Sequence, residues 1–430
     1  MALKAWTLGN NLDVIVNRDT LSKEVTIGCG VKYGTNDAHP KQIELPHLLE
    51  HIMFNGTKNM NRDEIHRKID FMHKTFNAYT LDDHTYYEIA TSKKNYKAAL
   101  DLLSESVNYA SLLPSEIEIE KKRVRAEITE GLNNKLDLVT DIYLYTECGL
   151  DGLKWVFEER FDSLDRITET DLQKAFVNFY VPNNMAVFVS GDIDLGEAID
   201  SVELRFGKVL SRDANHTDSE RFRDLKKWGS DSTKDDRVIK LAGVVTCISA
   251  IGFAIPGLST HKEPKELAEK RVLFDILSNR FTSYSSLYKP PLIYGPGILV
   301  NESRSACTFV VENVVGYADF KSLKDRVVKE INDIAKGNIS KEEFTKSRSS
   351  IREDYSLSGG GGIQNESICE CMADYLMLMR RTDYDEYVRS IKDVSIRRVR
   401  NLARTIDPNR LTSLLAIPEN TRRTRSKSNR

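Results

Sequence analysis

The chain has 430 residues, 40% of them hydrophobic and 29% charged, with a formal net charge of −2. That length exceeds one ordinary hydrophobic core, so two or three globular domains are expected. The small net charge leaves no footprint for nucleic acid or an anionic membrane, and no apolar run approaches the roughly 20 residues that cross a bilayer.

In chain order, "MALKAWTLGNNLDVIVNRD" alternates, with Leu12, Val14 and Val16 on one face, the period of a half-buried strand. It lacks the apolar stretch of a signal peptide and the Arg- and Ser-rich character of a transit peptide, so a cytoplasmic chain is expected. Strands are predicted at 11–17 and 24–33, then helices over 46–54 and 61–74, a strand at 77–91 and a helix at 94–109. Ser115 and Glu118, after Pro114, have the spacing of a capping box, and the helical pattern runs on to about 133. Thr168 and Asp171 cap another helix, which ends before "YVPNNMAVFVSGDI", a turn leading into an apolar strand.

Residues 211–237 are charged, rich in Ser and Asp and poor in apolar periodicity, and read as an interdomain linker. The second half then repeats the first in outline. "VVTCISAIGFAIPG" is a strand, a helix follows at 264–279, strands lie near 297–315, and several helices come next. "TIDPNRLTSLLAI" echoes "FYVPNNMAVFVSG", with Pro408 matching Pro182. The expected fold class is α+β: two similar, duplicated α/β domains, each a mixed or antiparallel sheet with helices packed on it. The domains are expected at 1–210 and 238–417, with a basic disordered tail at 418–430. Six cysteines lack disulfide-framework spacing, and Cys369 and Cys371 read as ordinary helix residues.

Chemistry concentrates in "IELPHLLEHIMFNGT", residues 43–57. Pro46 suits the first turn of a helix. His47 and His51, at i and i+4, then share one face, where two imidazoles can meet one Zn²⁺ at about 2.0–2.1 Å. Glu50 borders that face, while Leu48, Leu49, Ile52 and Met53 supply the buried side. The competing reading is a solvated helix edge, although H-x-x-E-H arises by chance on the order of once per hundred such chains. A hydrolytic zinc normally takes a third protein ligand, and "SEIEIEKKRVRAEITEGL" is the natural source. Glu120 and Glu127, two helical turns apart, point the same way; spacing alone does not choose among these and Glu116, Glu118 and Glu130.

These stretches resemble the pitrilysin, insulin-degrading enzyme and mitochondrial processing peptidase family, whose inverted zinc motif is H-x-x-E-H. "PHLLEHIMFNGT" is similar to its zinc block, "FNAYTLDDHTYYEI" to its Asn-Ala-Tyr-Thr strand, "EIEKKRVRAEI" to its glutamate helix and "YVPNNMAVFVSGDID" to its first-domain end. The resemblance is strong over the first half and looser, mainly architectural, over the second. It implies Glu127, 76 positions after His51, as third ligand to one zinc per chain, with Glu120 orienting the site. It implies Glu50 as general base and Asn77, Ala78 and Tyr79 as the strand beside which an extended peptide lies. It also implies a chain that is one half of a clamshell chamber.

Family members carry an Arg and a Tyr seven apart in the second half. In "NRFTSYSSLYKPPLIYGPG", Tyr294 stands for the tyrosine as a substrate contact, but the residue seven before it is Leu287. The chain therefore resembles a zinc-bearing half, and the expected partner is a related zinc-lacking chain, otherwise a second copy. Gly359 to Gly362 lack a following Lys-Ser/Thr and read as a loop, not a phosphate cradle. The expected function is a zinc metalloendopeptidase. The competing class is a non-catalytic structural or peptide-binding subunit, which need not keep the ligands.

Overall fold

The computed structural model describes residues 2–214, 236–257, 263–284, 294–304, 306–317, 319–355, 365–407 and 410–419. Most of the expected linker, the Gly359–Gly362 run, Pro408 and the tail beyond 419 lie outside these residues.

The first half builds a six-stranded sheet from β1 (Ala2–Thr7), β2 (Asp13–Arg18), β3 (Glu24–Val31), β4 (His73–Thr80), β5 (Thr85–Ser92) and β6 (Met185–Gly191), in the order β1-β2-β6-β3-β5-β4. Only β2 and β6 run parallel. The second sheet has the order β7-β11-β8-β10-β9 and again one parallel pair, β7 with β11. Its strands are β7 (Arg237–Leu241), β8 (Cys247–Pro256), β9 (Tyr294–Glu302), β10 (Ala306–Val315) and β11 (Thr412–Pro418). The two-domain α/β architecture with mixed sheets is therefore as expected.

Local boundaries differ from the expectation in instructive ways. The single strand predicted at 77–91 is a hairpin, β4 and β5, paired Tyr79 to Tyr86. Its turn closes through the Leu81 N–H donating to the His84 carbonyl at 2.8 Å. Asp82 and Asp83 favour a turn, but the alternation runs through both arms and hides the reversal. β1 lies outside the predicted strand; it pairs with β2 through a turn in which Asn11 adopts φ +65°, a left-handed conformation that Asn tolerates. The Ser115/Glu118 capping box does not form. The helix α4 spans Pro114–Gly131 and Leu113 flanks it without a side-chain cap, because Pro114 pre-sets φ and starts the helix one residue earlier. The Thr168/Asp171 box does form, before the helix Glu169–Phe179.

The two halves exchange helices. Helix α5 (Lys135–Glu147) belongs to the first half, yet Leu138, Val139 and Ile142 pack with Ile248, Val310 and Leu414 of the second sheet. Thr140 Oγ1 donates to Glu312 at 2.6 Å and Tyr143 Oη meets Thr412 Oγ1 at 2.9 Å. In return, the helix Asn365–Met379 covers β3, β5 and β6 of the first sheet. It packs so closely that a Cβ on Gly30 would fall 2.5 Å from Met377 Cε. Cys369 is buried in this helix. Among the described residues, no helix is long and apolar enough to cross a membrane.

Candidate active site

Helix α1 (Leu45–Ile52) carries Pro46 in its first turn and buries Leu45, Leu48, Leu49 and Ile52, which anchors it between α4 and β4. That leaves His47, Glu50 and His51 half-buried on its other side. Helix α4 presents Ile117, Glu120, Val124 and Ile128 to the core, so Glu120 is buried and Glu127, two turns on, reaches out at the edge.

His47 Nε2 and His51 Nε2 lie 3.5 and 3.3 Å from the two carboxylate oxygens of Glu127. Ligand atoms of these three residues all fall within 4.8 Å of one another, the one such group among the described residues. The outer nitrogens are also engaged. His47 Nδ1 is 3.0 Å from Glu44 and His51 Nδ1 is 3.3 Å from Glu120. Carboxylates at Nδ1 fix the proton there and direct both Nε2 lone pairs to the same point. Two imidazole nitrogens and one carboxylate, converging with a side open to the cleft, suit a zinc ion that keeps a position for water. The residues present fit the metal.

Electrostatics agree with this arrangement. Burial pulls the His47 imidazole down, but contacts with Glu127 and Glu44 outweigh it and hold it up at about 10. His51 is treated likewise by burial against Glu120 and Glu127, and stands at about 9. The two histidines hold Glu127 well below the usual carboxylate range. Burial pushes Glu44 up, yet Arg160 and His47 bring it down to about 2. Glu50 is different: burial raises its proton affinity, and the neighbouring histidines offset that only in part. Thr80 Oγ1, at the end of β4, donates to Glu50 Oε2 at 3.1 Å.

These groups line a cleft of about 370 Å³ with Thr35, Ile43, Ala78, Tyr79, Asp82, Tyr145, Trp155 and Arg160. All its described wall residues come from the first 160 of the chain. β4 is an edge strand, so one side of its main chain is unpaired by the sheet. Ala78 and Tyr79 reach the cleft; Asn77 is exposed beside them, and its Oδ1 accepts the Ala78 N–H at 3.0 Å. The Tyr79 ring lies 5.3 Å from that of Tyr86, against the core that contains the Asn365–Met379 helix. Tyr294 opens β9, the edge strand of the other sheet, with its backbone paired to Val314. Sequence reasoning missed Glu44, Thr80 and Arg160. Glu44 carried a signal, standing at i−3 from His47, and Thr80 lay within the Asn-Ala-Tyr-Thr stretch without a role assigned to it; Arg160 comes from a remote segment and carried none.

The family model of insulinase (peptidase family M16) matches residues 13–147, and that of the M16 inactive domain matches residues 166–351. Similar proteins include YmxG of Bacillus subtilis, an uncharacterized zinc protease, 20% identical over 94% of this chain and 95% of its own. Another is the bovine (Bos taurus) mitochondrial-processing peptidase subunit beta, 23% identical over 56% of this chain and 49% of its own. An uncharacterized zinc protease of Mycobacterium leprae is 26% identical over 48% of this chain and 46% of its own. The matched segment thus spans about half the length of the last two relatives. Among solved structures, a protease from Helicobacter pylori superposes with a TM-score of 0.73 at 19% identity, covering 97% of this chain and 100% of that one. The first half of the periplasmic protease PqqL from Escherichia coli does so at 0.71 and 16%, covering 97% and 92%. At such identities the structures establish the fold.

Proposed function

The chain belongs to the insulinase (M16) family of peptidases, and we propose that it is a zinc metalloendopeptidase acting on peptides or unstructured segments. The observation that carries this is the convergence of His47, His51 and Glu127 on one point of a cleft, with Glu50 beside them and an unpaired strand edge alongside.

Zinc held by His47, His51 and Glu127 would supply a Lewis acid that polarises the scissile carbonyl and lowers the pKa of water. Glu50 accepts the proton of the attacking water and later delivers it to the leaving amine. Its raised proton affinity suits a group that must hold a proton between two steps. Thr80 donates to Oε2 and so helps to orient the carboxylate. Glu44 and Glu120 hold the imidazoles. The outer edge of β4 aligns the peptide in extended form, reading main chain more than side chain.

We propose further that the chain works as half of a two-part chamber, with a related zinc-lacking chain or a second copy supplying the other wall. Two observations support this. The described wall residues of the cleft all come from the first half of the chain, and the chain matches 47% of the full PqqL chain while covering 96% of itself. The reading as a non-catalytic subunit is disfavoured because all four residues of the site are present and assembled.

Metal analysis of the purified protein tests the assignment. About one zinc per chain is expected, lost on substitution of His47 and His51 by Ala. Full zinc content in that double variant would refute it.

A further inference from the structure

Both candidate zinc ligands on α1 are backed by a carboxylate, and both carboxylates are held by arginine, but the two strings differ. Glu120 stands on α4 and is gripped by Arg123 at 2.7 Å, with Arg62 at 3.7 Å. Glu44 immediately precedes α1, the helix that carries its own client His47, and so has no independent anchor within that helix. The anchor comes from the helix Arg160–Arg166. Arg160 Nε donates to Glu44 Oε1 at 2.7 Å, and Ser163 Oγ, one turn on, accepts the Glu44 N–H at 3.0 Å. One helix face thus holds Glu44 by side chain and backbone together. A π-helical turn, Trp155–Glu159, leads directly into it, and such turns are frequent at functional sites. Trp155 and Arg160 both line the cleft.

We infer that Arg160 is a positioning residue: through Glu44 it fixes the His47 imidazole and so sets how tightly His47, His51 and Glu127 hold their metal. This rests on the zinc reading above. The Glu44 side chain is only 6% exposed. Without the guanidinium its carboxylate is buried beside a single partner and turns away from His47 or draws in water. A planar fork with a fixed donor direction holds a carboxylate in one orientation, which a lysine's point charge does not. Loss of such an outer partner weakens metal binding by about 10–100-fold.

The test is zinc affinity by competition with a chromophoric chelator, for the unsubstituted chain, Arg160→Gln, Arg160→Lys, Glu44→Gln and the Arg160→Gln/Glu44→Gln pair. Arg160→Gln is expected to weaken zinc by about 10–100-fold, and Arg160→Lys by less. The pair is expected to be no weaker than Glu44→Gln alone, since one string has already been cut. An Arg160→Gln affinity within about twofold of the parent, or additive losses in the pair, would overturn the inference. If Arg160→Gln does not fold, the cycle is run with Arg160→Lys. A loss seen while Glu44 is in place and absent in the Glu44→Gln background supports the string, and equal losses in both backgrounds overturn it. His51→Ala separates the two levels. Zinc retained in that variant sinks the site itself, whereas zinc lost there but kept by Arg160→Gln sinks only the positioning role.

Discussion

At the scale of single residues, the site is a competition between protons and a cation. His47 and His51 stand at about 10 and 9 against an ordinary 6.5. Pairing with carboxylates therefore stabilises the protonated, metal-free fold fully below about pH 6.5, and that contribution is lost as pH rises through 9 to 10. Metal requires neutral imidazoles, so its dependence has the opposite sign. Near neutral pH each zinc bound is expected to release about one to two protons, and affinity should rise with pH. Calorimetry in buffers of different ionisation enthalpy measures this directly; uptake without proton release would contradict the arrangement. That His47 and His51 lie together was legible in the sequence because i and i+4 share a helix face whatever else the chain does. Glu50 was legible for the same reason. The contacts of Thr80 with Glu50 and of Arg160 with Glu44 were not, because the partners stand 30 and 116 positions apart along the chain. Nothing in local spacing reports such contacts.

At the scale of elements, β4 matters most, since it edges its sheet and borders the cleft. The Ala78 N–H donates to the Asn77 side chain, which places it outside the ladder with β5. A peptide adding to this edge must displace that side chain and take the N–H for itself. Ala78→Pro removes the donor at a position where an edge strand tolerates proline. Losing one hydrogen bond of about 0.5–1.5 kcal/mol should lower kcat/KM several-fold to about tenfold, with zinc content unchanged. An unaltered kcat/KM would remove β4 as the docking edge. Element types were readable wherever one periodicity ran unbroken, as in β2, β3 and α1. They failed where a turn kept the alternation going, at Leu81–His84, and where a proline moved a helix start, at Pro114. The exchange of α5 and the Asn365–Met379 helix between halves was invisible for another reason. An apolar helix face shows that it is buried, not against which sheet.

At the scale of the whole molecule, that exchange makes the two halves one scaffold. The second sheet holds α5 from behind, and α5 carries Tyr145, which lines the cleft near Trp155. A half without an assembled metal group among its described residues therefore still shapes the site. If a related chain or a second copy completes the chamber, as proposed, turnover is best measured on that assembly. The direct test is the rate of peptide hydrolysis by zinc-loaded protein, native against Glu50→Gln, at matched metal content and thermal stability. An amide still hydrogen-bonds to Thr80 but cannot take a proton from water, so a fall of about 10²–10⁴-fold with zinc retained is predicted. Near-native cleavage by zinc-loaded Glu50→Gln would contradict the account.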